Sequence, residues 1–384
     1  GPGPGCCPGP DDPQYNTLKN EVNFMKNKLK VGLIGLGGIC LYAHMPAYLK
    51  TENVEIGAIC DILPEKIAFF KDKFNIPDVP SFTDYNELLN VEGLDFVDIC
   101  TPNYLHSVIS VSAMEKGLHV FCEKPDAISV TEAEKMMTAA EKNKRHLMVM
   151  RNNRYRATSK FLKKYIDDGK MGEIYCGRCG WQRRRGIPGK GGWFTTKKQS
   201  GGGPLIDLGV HMIDLAVWLM GNPTPIAVTG CTYRKFADSG ISDSVNSKFG
   251  TAKEDGIFDV EDLAMGFIKF DNGACLQIEF SWASNVEEEQ SFLELRGTKA
   301  GSSFKSKTGL LKIFTEEYGE LINIEPVTAN DKTCMDHHEA NLRHFTDVIL
   351  RDTKPDFEPI LGVNMIKILE AMYKSAETGA EIRL

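Results

Sequence analysis

The sequence LKVGLIGLGGIC at residues 29–40 decides how the first half of the chain folds. A short apolar run ends at Gly35, a glycine-rich turn follows, and a helical pattern begins at once. A strand that passes through a G-x-G turn directly into a helix is typical of a sheet that binds a dinucleotide at its edge. The third small position of the motif is Cys40, and a thiol is compact enough to stand where Gly or Ala is usual.

This turn supplies backbone N–H groups for a pyrophosphate at the positive end of the helix. The first glycine makes the tight bend, and the second lets the backbone approach the phosphates. We therefore predict that the cofactor phosphates are bound by Gly35, Gly37, Gly38 and Ile39.

Asp61 ends the second apolar run, about twenty residues after the turn. A carboxylate there accepts hydrogen bonds from the adenosine ribose hydroxyls and repels a 2′-phosphate. No arginine directly follows Asp61 to bind such a phosphate. The sequence thus predicts NAD rather than NADP as the cofactor. The alternative is an ordinary strand-end aspartate that caps the helix beginning near Pro64.

Short apolar runs alternate with helical patterns as far as residue 150. The helical stretches have charged outer faces, and this alternation predicts parallel strands with crossover helices on both faces of one sheet. The apolar runs are 29–35, 54–60, 96–100, 119–125 and 146–150, and the helical patterns are 64–74, 105–116 and 130–143. The first half is therefore predicted to be doubly wound.

The rhythm changes after residue 152. A helix at 158–168 leads into longer alternating runs joined by turns such as Asp271-Asn272-Gly273, which indicates antiparallel hairpins. Helical patterns return at 336–350 and 362–377. This half is predicted to be an α/β domain built on a largely antiparallel sheet.

We therefore predict an α/β protein of two domains, in keeping with about 100 to 200 residues per domain. A doubly wound domain is assigned to residues 25–150 and a second domain to residues 151–384, whose last helices can pack back on the first. Residues 1–24, which are rich in Pro and Gly, are expected to form a flexible lead outside the fold.

Composition describes a globular protein and excludes several classes of function. Of 384 residues, 42% are hydrophobic and 25% are charged, and a net charge of -7 with a pI of about 5.7 leaves no broad basic face. No nucleic-acid partner is therefore expected. No apolar run reaches the roughly 18 residues that cross a bilayer, and no secretion leader is recognisable, so we expect a cytoplasmic protein without a membrane partner.

The 11 cysteines fit a reducing compartment. Cys60, Cys100 and Cys122 close short apolar runs, where a reduced thiol behaves as a small buried hydrophobe. Cys176 and Cys179 form a single C-x-x-C with neither a second pair nor a nearby histidine pair. We therefore predict no metal site.

The sequence Glu123-Lys124-Pro125 stands at the carboxyl end of a predicted parallel strand, the edge where doubly wound sheets bind ligands. A lysine there can donate to a substrate hydroxyl and stabilise the alkoxide that forms as hydride leaves carbon. Pro125 favours an extended Lys124 and ends the strand at a fixed place. Lys124 is predicted to be catalytic, the alternative being a solvated surface lysine.

A second candidate is the glycine run at 200–204 with the apolar helix that follows it. Asp207, His211 and Asp214 lie at i, i+4 and i+7 on one face of this helix, where buried polar groups are costly unless paired or used. We interpret Asp207 as the carboxylate that orients His211, and His211 as the base that takes the hydroxyl proton. The alternative is a core histidine held by a neighbouring aspartate.

These motifs make the chain similar to the glucose-fructose oxidoreductase, inositol dehydrogenase and MocA family. The resemblance rests on the glycine turn, Thr101-Pro102-Asn103 with His106, Glu123-Lys124-Pro125 and the D-x-x-x-H segment after the glycine run, and extends from Leu29 to the C-terminus. It implies an N-terminal Rossmann domain, a C-terminal domain with an open sheet, and homo-oligomerisation through that sheet.

The resemblance also implies roles for individual residues. Lys124, Asp207 and His211 match the catalytic trio of the family, Asn103 a nicotinamide-side contact, and Arg154 a substrate-side position. Besides the turn and Asp61, the predicted cofactor contacts are Thr101, Asn103, His106, Glu123 and Lys124, and the predicted substrate contacts are Arg154, Trp193, Asp207 and His211.

Trp193 belongs to the segment QRRRGIPGKGGWFTTKK at 182–198, which is predicted to form a loop beside the substrate. An aromatic ring there can stack on a sugar ring or an aglycone. The alternative for the arginines of the segment is a solvated basic loop.

The predicted function is NAD-dependent oxidation or reduction of a secondary hydroxyl of a sugar, glycoside or polyol. C3 of a glucoside is one candidate position, with NAD(H) retained between turnovers. One alternative is a glycoside-cleaving enzyme that uses transient oxidation, and another is an NAD-sensing regulator without catalysis. The presence of Lys124, Asp207 and His211 argues against the regulator.

Overall fold

A computed structural model describes residues 28–240, 249–305, 308–327 and 336–384, so the predicted lead at 1–24 lies outside the described residues. Within these ranges the strands form one sheet of six strands and one of nine. The first is parallel throughout and the second is mostly antiparallel, which confirms the predicted α/β fold.

The parallel sheet has the order β3-β2-β1-β4-β5-β6. Its strands are β1 (Leu29–Ile34), β2 (Val54–Cys60), β3 (Ser81–Phe82), β4 (Phe96–Ile99), β5 (His119–Cys122) and β6 (Leu147–Val149). From β1 to β3 the strands are added toward one edge of the sheet, and from β4 to β6 they are added toward the other edge. A doubly wound sheet opens a crevice for its ligand at the boundary between these two halves, here between β1 and β4.

Helices cover both faces of this sheet, so its central strands are apolar on both sides. The glycine turn leads into a π-helical turn, Cys40–His44, rather than directly into an α-helix. The helices of this half are α1 (Met45–Leu49), α2 (Pro64–Phe74), α3 (Tyr85–Leu88), α4 (His106–Glu115) and α5 (Val130–Asn143).

The second sheet has the order β14-β13-β12-β11-β7-β10-β9-β8-β15. Its strands are β7 (Ile174–Gln182), β8 (Pro225–Tyr233), β9 (Leu263–Phe270), β10 (Cys275–Ser281), β11 (Gln290–Gly297), β12 (Ala300–Lys305), β13 (Leu310–Glu317), β14 (Glu320–Ile324) and β15 (Ile382–Arg383). Among the described strands, β7 and β10 pair in parallel and the other neighbours are antiparallel.

The C-x-x-C of the sequence lies on β7. Residues three apart on a strand point to opposite faces of the sheet. Cys179 is buried with 1% exposure, whereas Cys176 is half-buried on the other face. The two thiols therefore do not converge on one metal ion.

Helices pack on one face of the second sheet and also join it to the first. They are α6 (Ala157–Asp167), α7 (Lys197–Ser200), α8 (Val210–Leu219), α9 (Asp336–Arg351) and α10 (Pro359–Thr378). Phe345 of α9 packs edge-on against Phe96 of the parallel sheet, with ring centroids 5.5 Å apart. Glu370 of α10 accepts a hydrogen bond of 2.8 Å from the backbone N–H of Val130.

One helical stretch of the described residues, Lys197–Leu219, is long and apolar enough to cross a membrane by length and composition alone. Within its most apolar window, 78% of the stretch is buried inside the protein. Such burial is what a core helix of this fold shows, because α8 packs between the second sheet and its neighbouring helices.

A buried ion network fixes α8 against the start of the second half. Asp214 accepts from Arg151 Nε at 2.9 Å and from Arg154 Nη2 at 2.6 Å, and Arg151 also reaches Asp126 at 2.5 Å. Arg154 is 2% exposed, and its third nitrogen donates to the carbonyl oxygen of Asp356. Because all three guanidinium nitrogens of Arg154 are engaged in the interior, its predicted contact with substrate is wrong.

Replacing Asp214 tests the weight of this network. Asp214→Ala leaves two buried guanidinium groups without their shared carboxylate, and removal of one partner of a buried ion pair typically costs about 3 kcal/mol or more. We expect a lower midpoint of urea denaturation, measured by circular dichroism. The exposed pair Lys164 and Asp168 offers the control, since Asp168→Ala should change the midpoint little. A midpoint unchanged in both variants would contradict this role.

Candidate active site

The carboxyl ends of the parallel strands bring four of the predicted residues to one edge. Gly35 follows β1, Asp61 follows β2, Thr101 follows β4 and Lys124 follows β5. They share an edge because every strand of the sheet runs in the same direction. This edge lies at the switch point between β1 and β4, where the crevice is expected.

The glycine turn has the backbone that a dinucleotide requires. Gly35 has φ of 92°, and a Cβ there would lie 2.7 Å from the carbonyl oxygen of Cys100, so only glycine fits. A Cβ built on Gly37 or Gly38 meets nothing within 4 Å. The bare backbone of these two residues thus faces open space into which phosphates can come close.

Asp61 ties this turn to the end of β2. One carboxylate oxygen accepts from the N–H of Leu36 at 2.9 Å, and the other accepts from the N–H of Leu63 at 3.0 Å. Carboxylate oxygens can each accept more than one hydrogen bond, so these contacts leave capacity for ribose hydroxyls. The side chain does not cap α2, whose N-cap residue is Leu63 without a side-chain hydrogen bond.

Thr101 gives a further sign that a polar group belongs at this edge. Its hydroxyl oxygen is buried, yet it has no hydrogen-bond partner among the described residues. Buried hydroxyls are normally satisfied, so an unpaired one beside the crevice fits a site that a cofactor completes. The residues of the glycine turn, Asp61 and Thr101 therefore suit NAD.

His106 does not face the cofactor as predicted. It is fully buried, with Nδ1 2.7 Å from the carbonyl oxygen of Pro125 and Nε2 2.9 Å from that of Thr101. Burial lowers the pKa of His106, against smaller opposing effects of these two carbonyls. Because both ring nitrogens face backbone carbonyls, His106 fixes the loops after β4 and β5 instead of contacting a ligand.

Lys124 is held across the two halves of the chain. Its Nζ lies 2.8 Å from Asp207 Oδ1, and Trp282 Nε1 donates to Asp207 Oδ2 at 2.9 Å. Burial works to raise the pKa of Asp207, but Lys124 and Arg183 outweigh it and lower that pKa, so the carboxylate is charged. The hydrogen bond from Lys124, in the first half of the chain, to Asp207, in the second half, therefore fixes the position of the lysine amine.

The predicted pairing of Asp207 with His211 is not what the structure contains. Both carboxylate oxygens of Asp207 are engaged by Lys124 and Trp282, and no hydrogen bond joins Asp207 to His211 in the described residues. The physical reason is that Leu205–Gly209 forms a π-helical turn. Its wider i to i+5 spacing rotates Asp207 away from the α-helical register that the sequence pattern assumed.

His211 itself stays at the site. Its ring centroid is 6.0 Å from that of Trp181, and neither imidazole nitrogen has a hydrogen-bond partner in the described part of the chain. Burial, followed by the charge of Lys124, lowers the pKa of His211 well below its ordinary value. The imidazole is therefore neutral at pH 7 and able to accept a proton.

The third residue of the pattern, Asp214, points elsewhere. It belongs to the buried network of Arg151 and Arg154 described above and plays no part at this edge. Asp214 lies on the side of the helix that faces Arg151 and Arg154.

Glu261 fixes the start of the site helix, the continuous helical segment at 205–219 that carries Asp207 and His211. The sequence analysis did not predict a role for Glu261. Its carboxylate accepts from the N–H groups of Gly203 at 2.9 Å and Leu205 at 3.1 Å, and from Tyr373 Oη at 3.0 Å. Burial raises the pKa of Glu261 to about 7, against the opposing effect of these donors. The signal available in sequence was a charged pair, Glu261-Asp262, directly before an apolar strand.

His44 is the second residue that sequence reasoning missed. It is fully buried in the π-helical turn after the glycine loop, with Nδ1 2.7 Å from Asp98 Oδ2 and Nε2 2.7 Å from Glu123 Oε1. The other oxygen of Glu123 accepts from the backbone N–H of Lys124 at 3.0 Å. Glu123, predicted to contact the cofactor, is instead turned inward and braces the backbone of Lys124.

The charges of this chain of contacts support one another. Burial disfavours a charged His44, but Asp98 and Glu123 outweigh it and raise the pKa of His44 well above its ordinary value. Burial likewise disfavours a charged Glu123, but the hydrogen bond from His44 lowers the pKa of Glu123 to about 2. An imidazolium between two carboxylates therefore lies beneath Lys124.

His44, Asp98 and Cys100 place one ligand atom each within 4.8 Å of one another, as a metal site does. The 2.7 Å contact between His44 Nδ1 and Asp98 Oδ2 is a direct hydrogen bond. Because both ring nitrogens of the His44 imidazolium donate hydrogen bonds to carboxylates, neither has a lone pair with which to bind a metal ion.

Asn103 and Trp193 lie on loops beside this edge. Asn103 donates from Nδ2 to the carbonyl oxygen of Ser200 at 2.8 Å, which ties the loop after β4 to the glycine run. Trp193 is half-buried and stacks on Phe194, with ring centroids 3.8 Å apart. The ligand contacts predicted for both residues remain predictions.

Both halves of the chain match one family of enzymes. The profile described as "Oxidoreductase family, NAD-binding Rossmann fold" matches residues 29–151, and that of the "GFO/IDH/MocA C-terminal domain" matches residues 160–302. The chain therefore belongs to the glucose-fructose oxidoreductase, inositol dehydrogenase and MocA family, and it is an NAD-dependent oxidoreductase.

Individual relatives narrow the comparison. The chain is 31% identical over 361 residues to the D-glucoside 3-dehydrogenase of Escherichia coli K12, covering 93% of this chain and 97% of the relative. It is 30% identical over 291 residues to the levoglucosan dehydrogenase of Pseudarthrobacter phenanthrenivorans, covering 72% and 73%. A solved levoglucosan dehydrogenase complex with NADH and levoglucosan, 24% identical, shares the fold with a TM-score of 0.80 over 93% of this chain and 99% of that one.

Replacing Asp61 tests the ribose contact. Asp61→Ala removes the acceptor for ribose hydroxyls, so we expect the Kd for NAD to rise about tenfold and discrimination against NADP to fall. Isothermal titration with each cofactor measures both. Asp61→Asn is the matched variant, since it keeps one acceptor oxygen but loses the charge that repels a 2′-phosphate. An unchanged NAD affinity in Asp61→Ala would refute the role.

The buried imidazolium of His44 should make the stability of the fold depend on pH. Glu123 stabilises the fold above its ordinary pKa near 4.5 and loses this contribution as pH falls through about 2. His44 stabilises it below its ordinary pKa near 6.5 and loses the contribution as pH rises through the raised value. We therefore expect the stability lost in His44→Gln, measured by thermal unfolding, to be largest between pH 4.5 and pH 6.5.

His106→Gln is the control for this experiment. Because burial lowers the pKa of His106, its contribution is present above the ordinary pKa near 6.5 and is lost as pH falls. The two variants should thus show opposite trends with pH. Parallel trends would mean that His44 is not held as an imidazolium.

Proposed function

We propose that the enzyme oxidises a secondary hydroxyl of an uncharged sugar or glycoside, with C3 of a glucoside as the leading position. The observation that carries this proposal is the placement of Lys124 against Asp207, beside the neutral imidazole of His211. Its two most informative relatives are named for a glucoside and for levoglucosan, both carbohydrates. The activities for which these relatives are named support a carbohydrate substrate here.

The chemistry divides between the cofactor and the side chains. Bound NAD would supply the acceptor for the hydride that leaves the carbinol carbon of the substrate. Lys124 donates a hydrogen bond to the substrate oxygen and stabilises the negative charge that develops on it. His211, neutral and without a partner in the described residues, accepts the hydroxyl proton. Asp207 holds the amine of Lys124 in place throughout.

The carboxyl edge of the parallel sheet gives the cofactor its place in this proposal. Gly35, Gly37, Gly38 and Ile39 would hold the pyrophosphate, and Asp61 the adenosine ribose. Asn103 and Thr101, after β4, would lie along the nicotinamide half. The open backbone at Gly37 and Gly38 and the unpaired hydroxyl of Thr101 support this arrangement.

We also propose a homo-oligomer that forms through the second sheet. Alternate residues of β9 point away from the helices and leave apolar side chains uncovered, with Phe267 at 49% and Met265 at 38% exposure. Large exposed apolar faces mark interaction surfaces.

We further propose a domain division near residue 150 and a cytoplasmic location. The cytoplasmic location is supported by the described cysteines, all of which are free thiols.

The experiment combines a substrate panel with one variant. Purified protein with NAD is given methyl glucosides, glucose, levoglucosan and inositols, and NADH formation is followed by absorbance. Lys124→Ala should lower kcat about 100- to 10,000-fold, since it removes the group that stabilises the developing charge. The fall in kcat should greatly exceed any rise in the Kd for NAD, to which Lys124 is also a predicted contact, and Lys116→Ala, on the surface, serves as the control.

The outcomes separate the competing functions. A 3-keto glycoside, identified by NMR, is the expected product. Release of aglycone without a second enzyme would support transient oxidation and bond cleavage instead. Full turnover in Lys124→Ala would overturn the catalytic assignment, and NAD binding without turnover of any compound would favour the regulator.

A further inference from the structure

Three consecutive arginines follow β7, and the structure gives them different surroundings. Arg185 donates to the carbonyl oxygens of Arg184 and Ser284 and lies over the Phe236 ring at 4.6 Å. The side chain of Arg184 is exposed. Arg183 is half-buried and donates one hydrogen bond, from Nη1 to the carbonyl oxygen of Gly186 at 3.1 Å.

Arg183 lies on the wall of the candidate site. Residues 179, 181 and 183 share one face of the strand and its continuation, the face that carries the site helix. The guanidinium of Arg183 lies 5.4 Å from the centre of the Trp181 ring, and that ring lies 6.0 Å from the ring of His211. Trp181 therefore spaces Arg183 one ring away from the proposed base.

The neighbouring strand brings the same region to Asp207. Arg183 and Ser281 pair at the ends of β7 and β10, where the N–H of Arg183 donates to the carbonyl oxygen of Ser281 at 3.0 Å. The next residue of β10's continuation, Trp282, donates to Asp207. Two strand ends thus place Arg183 and Asp207 on one side of the crevice.

Arg183 has donors to spare. Its Nε and Nη2 make no hydrogen bond within the described ranges of the chain. Its burial lowers the pKa of Arg183, against the opposing charges of Asp207 and Glu289. These nitrogens are not fully buried, so they can reach the acceptor oxygens of a ligand that enters the crevice.

The charges near Arg183 indicate what kind of ligand this is. Two cations, Lys124 and Arg183, are balanced by two carboxylates, Asp207 and Glu289. A site without surplus positive charge favours an uncharged compound over a phosphate or carboxylate. Paired acceptor oxygens match the fork of a guanidinium, and a vicinal diol supplies such a pair.

We propose that Arg183, supported by Trp181, is a substrate-specificity residue that donates to adjacent hydroxyl oxygens of an uncharged sugar, next to the hydroxyl that is oxidised. This rests on the proposed function and extends it from the reacting atom to its neighbours. Arg183 is not a base in this scheme, and Trp193 is not required for it.

The test measures the kinetics of wild type and one variant on a parent sugar and its deoxy analogues. Wild type and Arg183→Met are compared with methyl glucoside and its 2-deoxy and 4-deoxy analogues, which lack the hydroxyls on either side of C3. We expect Arg183→Met to raise KM for the parent glucoside about 10- to 100-fold with kcat changed only a few-fold. The preference of the wild type for the parent over one deoxy analogue should disappear in the variant.

Matched variants separate specificity from folding. Arg184→Met alters an exposed neighbour and should behave as wild type. Arg183→Lys keeps the charge but loses the fork, so it should recover only part of the KM. Thermal unfolding and NAD affinity should be equal in all of them.

The outcomes that overturn the inference are distinct from failure of the proposed function. An unchanged KM with full discrimination between parent and deoxy sugars would remove Arg183 from the substrate site. A preference for glucose 6-phosphate that depends on Arg183 would refute the uncharged class. If wild type turns over no sugar, the proposed function fails, and calorimetric binding of the same sugars to the NADH-loaded protein still decides the role of Arg183.

Discussion

The ion pair between Lys124 and Asp207 is the contact on which the site depends. It joins two residues 83 positions apart, one at the end of a parallel strand and one in the π-helical turn of the second half. Glu123 braces the backbone of Lys124 from below, and Trp282 holds the other oxygen of Asp207. The glycine run is fixed by Glu261 at the start of the same helix. Together these contacts fix the positions of the Lys124 amine and the Asp207 carboxylate.

Much of the fold was readable from sequence because its signals are local and periodic. The helices at Pro64–Phe74 and Val130–Asn143 begin and end where apolar spacing and charge predicted. Parallel strands also made the position of Gly35 and Lys124 predictable, since strand ends of one direction meet at one edge. The largely antiparallel second sheet was expected, but its parallel pair of β7 and β10 depends on long-range pairing that no hairpin turn announces.

The partners of individual side chains were less accessible. Asp207 and His211 stand four residues apart, and only an α-helix would align them, whereas the chain forms a π-helical turn there. Arg154 and His106 belong to motifs near the site but are directed into the interior, where carboxylates and carbonyls satisfy them. His44 and Glu261 were missed because a buried charge is recognised by its partners, which in each case lie more than fifty residues away.

Because β7 and β10 pair in parallel, the chain must leave the sheet after β7 and return before β10. The segment that leaves the sheet forms a wall of the site. Between these adjacent strands the chain makes an excursion that contains the three arginines, the Trp193 loop, the glycine run and α8 before it returns through β8 and β9. A change in the length of residues 183–203 therefore need not shift the register of any strand. Loops of this kind tolerate insertion more readily than the elements they connect. The choice of substrate can thus be altered within this one segment, while the strand ends that carry Lys124 and the glycine turn keep their places.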